Sequence, residues 1–349
     1  MNEINQYLKK VMSYQNLTEE EAFSAMNKIM TGEAGEIRTA ALLVALAMKK
    51  ETGEEIEGFA KAMRRAAVRW PSREKYDILD TCGTGGDNAN LLNISTITAV
   101  VLATLGYKVA KHGNRAVSSP TGSADVLEEC GINIEITHEE AAECLEKIGI
   151  TFLYAPKWHP AMKYAAPVRK SLGVRTVFNI LGPITNPAPV THQIMGVFSK
   201  EYMPQIAQAL TGLGRKNAYV IHSHDGLDEV SIAAPTDYIQ IIDGKIAKEG
   251  TLQVEDFGIQ AESLNSLKVK DRKESVERFL KIIKGEGTQT ENKIVAINSA
   301  LALTLFEDIS LKEATEKILD LLRSGKVNEK FEEWKNFRPN NVVTSLGGK

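Results

Sequence analysis

Asp80-Thr81-Cys82-Gly83-Thr84-Gly85-Gly86-Asp87, leading on to Asn93-Ile94-Ser95-Thr96, is the stretch that decides the fold of this chain. The apolar pair Ile78-Leu79 precedes it, and a helical pattern follows from Ser95 (Ile97, Val100, Val101, Thr104, Leu105). A strand, a glycine loop and a helix start in that order make an anion site, because bare N–H groups converge and the helix dipole favours negative charge. The spacing is neither the Gly-x-Gly-x-x-Gly of dinucleotide folds nor the Gly-Lys-Ser/Thr of a Walker loop. One βα unit later, after the short apolar strand Lys108 to Ala110, comes Lys111-His112-Gly113-Asn114-Arg115-Ala116-Val117-Ser118-Ser119. Lys111 and Arg115 supply a mobile and a planar cation, a pairing suited to a diphosphate. Both segments fall at the carboxyl ends of strands, where α/β ligand sites form. Together they predict an enzyme that handles phosphate.

Outward from this centre, residues 1–70 read as helices only. Thr18 and Glu21 have capping-box spacing, Glu36 to Lys50 is strongly apolar and stops at Thr52-Gly53, and Glu54 to Trp70 ends at Pro71. After Pro71 short apolar strands alternate with helices. Strands are expected at Ile78-Leu79, Lys108 to Ala110, Ile132 to Ile136, Thr151 to Tyr154, Gln193 to Phe198 and Ala218 to Ile221. Helices are expected at Gly122 to Glu129, His138 to Ile148 and Glu201 to Leu213, and from Lys273 onward. The alternation predicts an α/β protein: a small N-terminal helical domain plus a larger α/β domain with a central, mostly parallel sheet flanked by helices. The expected boundaries are 1–72 and 73–349, with helices from about 160–190 returning to the first domain across a hinge. Asp243-Gly244 predicts a hairpin turn.

With 349 residues, the chain can bury a large core in one or two domains. A net charge of −3 offers no basic field for nucleic acid. No apolar run approaches the roughly 20 residues of a membrane helix, and Met1-Asn2-Glu3-Ile4-Asn5 lacks a signal-peptide layout. Cys82, Cys130 and Cys144 are too few and too scattered for a metal or disulfide framework. A soluble, cytoplasmic protein is expected, with neither nucleic acid nor membrane as partner.

Two further groups carry chemistry. Asp228 and Glu229, in Asp225-Gly226-Leu227-Asp228-Glu229, follow the strand Ala218 to Ile221. Adjacent carboxylates repel unless a cation joins them, so Mg²⁺ bridged to phosphates is the natural guest. His222 and His224 lack a third ligand at metal spacing and are read as structural. Arg169, on the hinge segment, could hold a substrate carboxylate through its planar fork.

These segments resemble the anthranilate phosphoribosyltransferase family. The resemblance runs through Asp80 to Asp87, Asn93 to Thr96, Lys111 to Ser119, Gly122 to Glu128, His159 to Met162, Arg175 to Pro187 and Gly226 to Glu229, in order along nearly the whole chain. It implies a helical domain plus an α/β domain, paired as a homodimer through the helical domains. It also implies transfer of phosphoribose from 5-phosphoribosyl 1-diphosphate to the amine of anthranilate, with Mg²⁺, two ions accompanying the diphosphate. By position, the residues implied in substrate binding are Gly83, Gly86, Asp87, Leu91, Asn93, Ile94, Ser95, Thr96, Lys111, His112, Gly113, Asn114, Arg115, Ala116, Val117, Ser118, Ser119, Ser123 and Arg169. Lys111, Asn114 and Arg169 would be catalytic, and Ser95, Asp228 and Glu229 would hold metal. Leu91 departs from the pattern, which has threonine there, so one hydroxyl toward the sugar diphosphate is missing. Two rivals stand beside this reading: a pyrimidine-nucleoside phosphorylase, opposed by the acidic Asp228-Glu229 pair, and a non-catalytic binding protein of the same fold, favoured only by Leu91.

Overall fold

The computed structural model describes residues 3–73, 75–87, 89–116 and 120–339. Four helices open the chain: α1 (Glu3–Met12), α2 (Glu19–Met30), α3 (Glu36–Lys49) and α4 (Gly53–Ala66). Thr18 and Thr52 cap α2 and α4, accepting the N–H groups of Glu21 and Glu55, whose carboxylates reach back to the threonine N–H groups. Four residues of local sequence thus fix each start.

Seven strands follow among the described residues: β1 (Ile78–Asp80), β2 (Lys108–Gly113), β3 (Ile150–Tyr154), β4 (His192–Gly196), β5 (Asn217–Ser223), β6 (Thr236–Ile242) and β7 (Lys245–Leu252). They form one sheet in the order β3-β2-β1-β4-β5-β6-β7. β1 to β5 run parallel, and β6 and β7 are added antiparallel. The helices between them are α5 (Ile94–Thr104), α6 (Ser123–Glu129), α7 (His138–Ile148), α8 (Ala155–Trp158), α9 (Ala166–Leu172), α10 (Phe178–Ile184) and α11 (Met203–Gly212). Four more close the described chain: α12 (Arg272–Ile283), α13 (Gln289–Leu303), α14 (Leu311–Arg323) and α15 (Lys326–Lys335).

The sheet separates two apolar layers, because alternate strand residues point to opposite faces. Met195, Val220 and Ile241 pack with Leu42, Leu46 and Phe59 of the first helices, in a core that also takes in Val168 of α9 and Phe178 and Ile180 of α10. Tyr219 and Ile221 face the other way, into the core of Val100 on α5 and Ile297 on α13. The chain leaves β1 outward through β2 to β3, then returns to β4 on the other flank of β1. That reversal opens a crevice at the carboxyl ends of β1 and β4, where ligands of α/β sheets bind.

The hairpin forms as expected, with Asp243 and Gly244 at φ 50° and 76° joining β6 to β7. Ile132 to Ile136 does not form the expected strand. Ile132 and Ile134 are buried, yet the segment between α6 and α7 is a succession of turns. Asn133 Oδ1 accepts the Glu135 N–H at 3.0 Å, a local bond that replaces a strand ladder. The apolar alternation there comes from burial against the second core, not from pairing.

Candidate active site

The crevice holds a cavity of about 460 Å³. Its floor begins with the glycine loop, which is pinned across to β4: Thr84 N–H donates to Gly196 O at 2.9 Å, and Phe198 N–H to Thr84 Oγ1 at 3.0 Å. Gly86 sits at φ 77°, a backbone state that side chains disfavour. At Gly83 closeness is the constraint, since a Cβ would lie 2.6 Å from Asp228 Oδ2.

Asp228 and Glu229 come from the β5–β6 connection. Gly85 N–H donates to Asp228 Oδ2 at 2.6 Å, and Ser95 N–H, in the first turn of α5, to Glu229 Oε1 at 3.1 Å. Protein crowds both carboxylates although each opens partly to the cavity. Desolvation, reinforced by Asp87, pushes Asp228 up to about 6. Desolvation and then the charges of Asp228 and Asp87 push Glu229 well above the usual carboxylate range. Lys111 enters from β2, and its Nζ donates to Thr81 O (3.3 Å), Thr81 Oγ1 (3.4 Å) and Ser95 Oγ (3.2 Å). All three partners are neutral oxygens.

The Asp228 and Glu229 carboxylates, with the Ser95 hydroxyl lining the same cavity, suit a hard divalent cation. Mg²⁺ usually takes one or two carboxylates and completes its shell with water and substrate phosphate.

Beneath the loop, Asp80 is fully buried at the end of β1. Its Oδ1 accepts His112 N–H at 3.3 Å and its Oδ2 accepts Asn186 Nδ2 at 2.8 Å. Burial pushes Asp80 up to about 6 against the pull of Lys111. Burial, aided by nearby His159, lowers His112 to about 3, so its imidazole is neutral. Nδ1 then donates to Gly182 O at 3.0 Å and Nε2 is left as the acceptor.

The facing wall comes from the hinge segment. Arg169 of α9 lies over the Phe178 ring, 5.3 Å from its centroid, and burial lowers its pKa. Arg175, between α9 and α10, donates to Gly86 O and stacks 4.2 Å from the centroid of Phe198.

Gly83, Gly86, Asp87, Leu91, Asn93, Ser95, Thr96, Lys111, His112, Gly113, Asn114, Arg115, Ala116, Ser123, Arg169, Asp228 and Glu229 all line this one cavity. Ile94 does not: its side chain is fully buried in the core, so that position offers backbone only. Arg115 lines the cavity, yet its guanidinium is engaged by Glu128 at 2.5 and 3.0 Å. Leu91 forms an antiparallel bridge with Lys268, so backbone pairing holds it where a threonine was expected. Asn93 occupies the cap position of α5, and Ser95 lies in its first turn. Val117, Ser118 and Ser119 lie outside the described residues. Sequence reasoning missed Arg175 and Phe198 as parts of the site. Asp80, the carboxylate ending an apolar strand, lies beneath the cavity and does not line it.

The family model described as the glycosyl transferase family α/β domain matches residues 75–328, and the helical bundle domain of the same family matches 5–67. Anthranilate phosphoribosyltransferase of Thermoanaerobacter sp. (strain X514) is 44% identical over 331 residues, covering 95% of this chain and 97% of the relative. The crystal structure of anthranilate phosphoribosyltransferase from Thermus thermophilus superposes with a TM-score of 0.87 at 39% identity, covering 94% and 98% of the two chains. The Saccharomyces cerevisiae enzyme in complex with PRPP and Mg superposes at 0.86 with 27% identity, over 95% and 96%. Likeness of this degree, carried over almost the full length of each relative and across both the bundle and the sheet, means that the chain belongs to the anthranilate phosphoribosyltransferase family.

Proposed function

We infer that this chain transfers the phosphoribosyl group from 5-phosphoribosyl 1-diphosphate to the amine of anthranilate, giving N-(5-phosphoribosyl)anthranilate and diphosphate in tryptophan biosynthesis. The observation that carries the reading is the meeting of both phosphate-shaped loops, the Asp228-Glu229 pair and Lys111 in one cavity. The sugar diphosphate lies along Gly83, Gly86, Asp87 and the first turn of α5, then reaches the segment that begins at Lys111. Ser95, Asp228 and Glu229 hold Mg²⁺, two ions with the diphosphate, which neutralise charge on the departing oxygens. Displacement at C1 of the ribose breaks the C–O bond to diphosphate and forms the C–N bond, with cationic character on the sugar between, and the amine proton passes to diphosphate or solvent. Lys111 places a fixed positive charge at the developing oxyanions, and the loop N–H groups add theirs. Asn114, just past the end of β2, and Arg169, on the facing wall, hold anthranilate between them, where the guanidinium fork matches a carboxylate. Alignment and charge thus supply the catalysis.

The domain boundaries 1–72 and 73–349 are supported by the break between the two matched family domains, 5–67 and 75–328, and the return of the helices of about 160–190 by the contacts that Val168, Phe178 and Ile180 share with Leu42 and Phe59. A second copy of the chain is proposed as partner, docked on the bundle. Ile37, Val44 and Met48 of α3 and Met12 and Tyr14 at the end of α1 leave apolar surface exposed there. Sedimentation of Ile37→Glu/Met48→Glu should show a monomer. A cytoplasmic location fits the three free cysteines. Among the described residues no helix is long and apolar enough to cross a membrane. Loss of anthranilate fluorescence on mixing protein, anthranilate, 5-phosphoribosyl 1-diphosphate and Mg²⁺ tests the activity. Phosphorolysis of pyrimidine nucleosides without that loss would replace it.

A further inference from the structure

Arg175 ties the two walls of the cavity together and has no role in the assignments above. It lies exposed in the turn between α9 and α10. One guanidinium N–H donates to the carbonyl of Gly86 in the glycine loop. The guanidinium also stacks on Phe198, 4.2 Å from the ring centroid. Phe198 N–H in turn donates to Thr84 Oγ1 at 3.0 Å. The glycine loop therefore meets Phe198 twice, directly through Thr84 and indirectly through Arg175. Phe198 packs edge-on against Tyr202 at 5.6 Å, and the Tyr202 hydroxyl donates to Glu51 Oε2 at 3.5 Å, between α3 and α4. A chain of contacts thus runs from the glycine loop, through Arg175, to the helical bundle.

Both partners of this guanidinium are neutral, a carbonyl and a ring, and the side chain lies at the cavity mouth. Such contacts at an exposed residue do little for overall stability. They bear instead on a loop whose glycines have many conformations when nothing holds them. We propose that Arg175 is a positioning residue, a latch that holds the glycine loop against the hinge segment so that both substrate subsites form together. This rests on the assignment of the two walls to the sugar diphosphate and to anthranilate. When the latch is lost, the competent conformation is only a fraction of the population, and each apparent dissociation constant rises by the inverse of that fraction. Chemistry inside the closed cavity is unchanged.

The test uses the full chain as wild type, Arg175→Ala and Arg175→Lys, in two measurements. In steady-state assays with Mg²⁺, Arg175→Ala should raise the Michaelis constants for both substrates about five- to tenfold and leave kcat within about twofold. Arg175→Lys keeps the charge but loses the planar fork and stack, so it should behave like alanine. A rise confined to the sugar diphosphate would make Arg175 a direct ligand and overturn the latch, as would full rescue by lysine. A fall in kcat at unchanged Michaelis constants would mean lost folded enzyme and overturn it too. The second measurement needs no substrate: hydrogen exchange of the ligand-free protein. Arg175→Ala should accelerate exchange together at residues 83–87 and 174–178. Unchanged protection in the glycine loop overturns the latch whatever reaction the wild type performs, whereas an inactive wild type with coupled exchange would overturn only the assigned activity.

Discussion

Asp228, in the connection between β5 and β6, and Asp237, nine residues on in β6, are treated by the protein in opposite ways. Burial would raise the pKa of Asp237, but Lys200 at 2.6 Å, Thr251 at 2.6 Å and His224 at 3.1 Å outweigh it and pull the carboxyl down to about 2. Asp228 is desolvated and lies near the Asp87 charge, and the Gly85 N–H it accepts does not offset them, so its pKa climbs to about 6. One carboxylate has its counter-charges built in, while the other is held among like charges at a cavity. A fold tolerates the second arrangement where an outside cation completes it. The contrast separates the residues that serve the sheet from those that serve the reaction.

The sharpest way to break it is Asp228→Ala/Glu229→Ala. Removing both carboxylates takes away the metal contribution of several kcal/mol, so turnover should fall about a thousandfold or more. Wild-type turnover across a Mg²⁺ titration would show that the pair holds no metal. Lys111→Ala should come next. Losing one fixed charge at the developing oxyanions costs about 2.7–4 kcal/mol of barrier by analogy with oxyanion donors, and anthranilate binding should change far less. Single-turnover rates beside anthranilate binding isotherms would separate the two effects, and an unchanged rate would move Lys111 out of the chemistry.

Sequence made one side of this contrast legible and hid the other. The glycine loop, the start of α5, the capped helices and the Asp243-Gly244 turn depend on residues within a few positions of one another, so periodicity and turn chemistry exposed them. Asp228 and Glu229 were visible because adjacent acids conflict locally. The partners of Asp237 lie on other elements, and nothing near it announces them. Arg175 escaped for the same reason, since Gly86 is 89 residues away. Arg115 looked like a free cation until α6 brought Glu128 onto it. Ile132 to Ile136 misled because burial against distant helices produces the same apolar alternation as a strand.

Arg169 is the cationic counterpart of Asp228, a charge resting on the face of Phe178 while its pKa is lowered by burial. Arg169→Ala should therefore weaken anthranilate selectively. The loss should be about 2 kcal/mol, roughly 30-fold in the Michaelis constant, the low end for stranding one partner of a desolvated pair. Saturation curves for each substrate check this. A shift in the sugar diphosphate constant alone would move Arg169 to the other wall.

The smallest effect should come from Asp237→Asn, and it should fall on stability with activity untouched. Because the folded pKa is depressed, the native state binds fewer protons than the unfolded chain between about pH 4 and 2. The stabilisation is fully present above the unfolded value near 4 and fades as pH falls through that window. Lys200 is largely exposed, so screening reduces its share, and the whole contribution should be on the order of 1 kcal/mol. Urea melts of wild type and variant at pH 7 should differ by about that amount, and the difference should shrink progressively below pH 4. Turnover at pH 7 should match wild type, since His224 and Lys200 hold Asp237 without reaching the cavity lining. A large loss of turnover at preserved stability would erase the distinction between the two aspartates and place Asp237 in the machinery of the site.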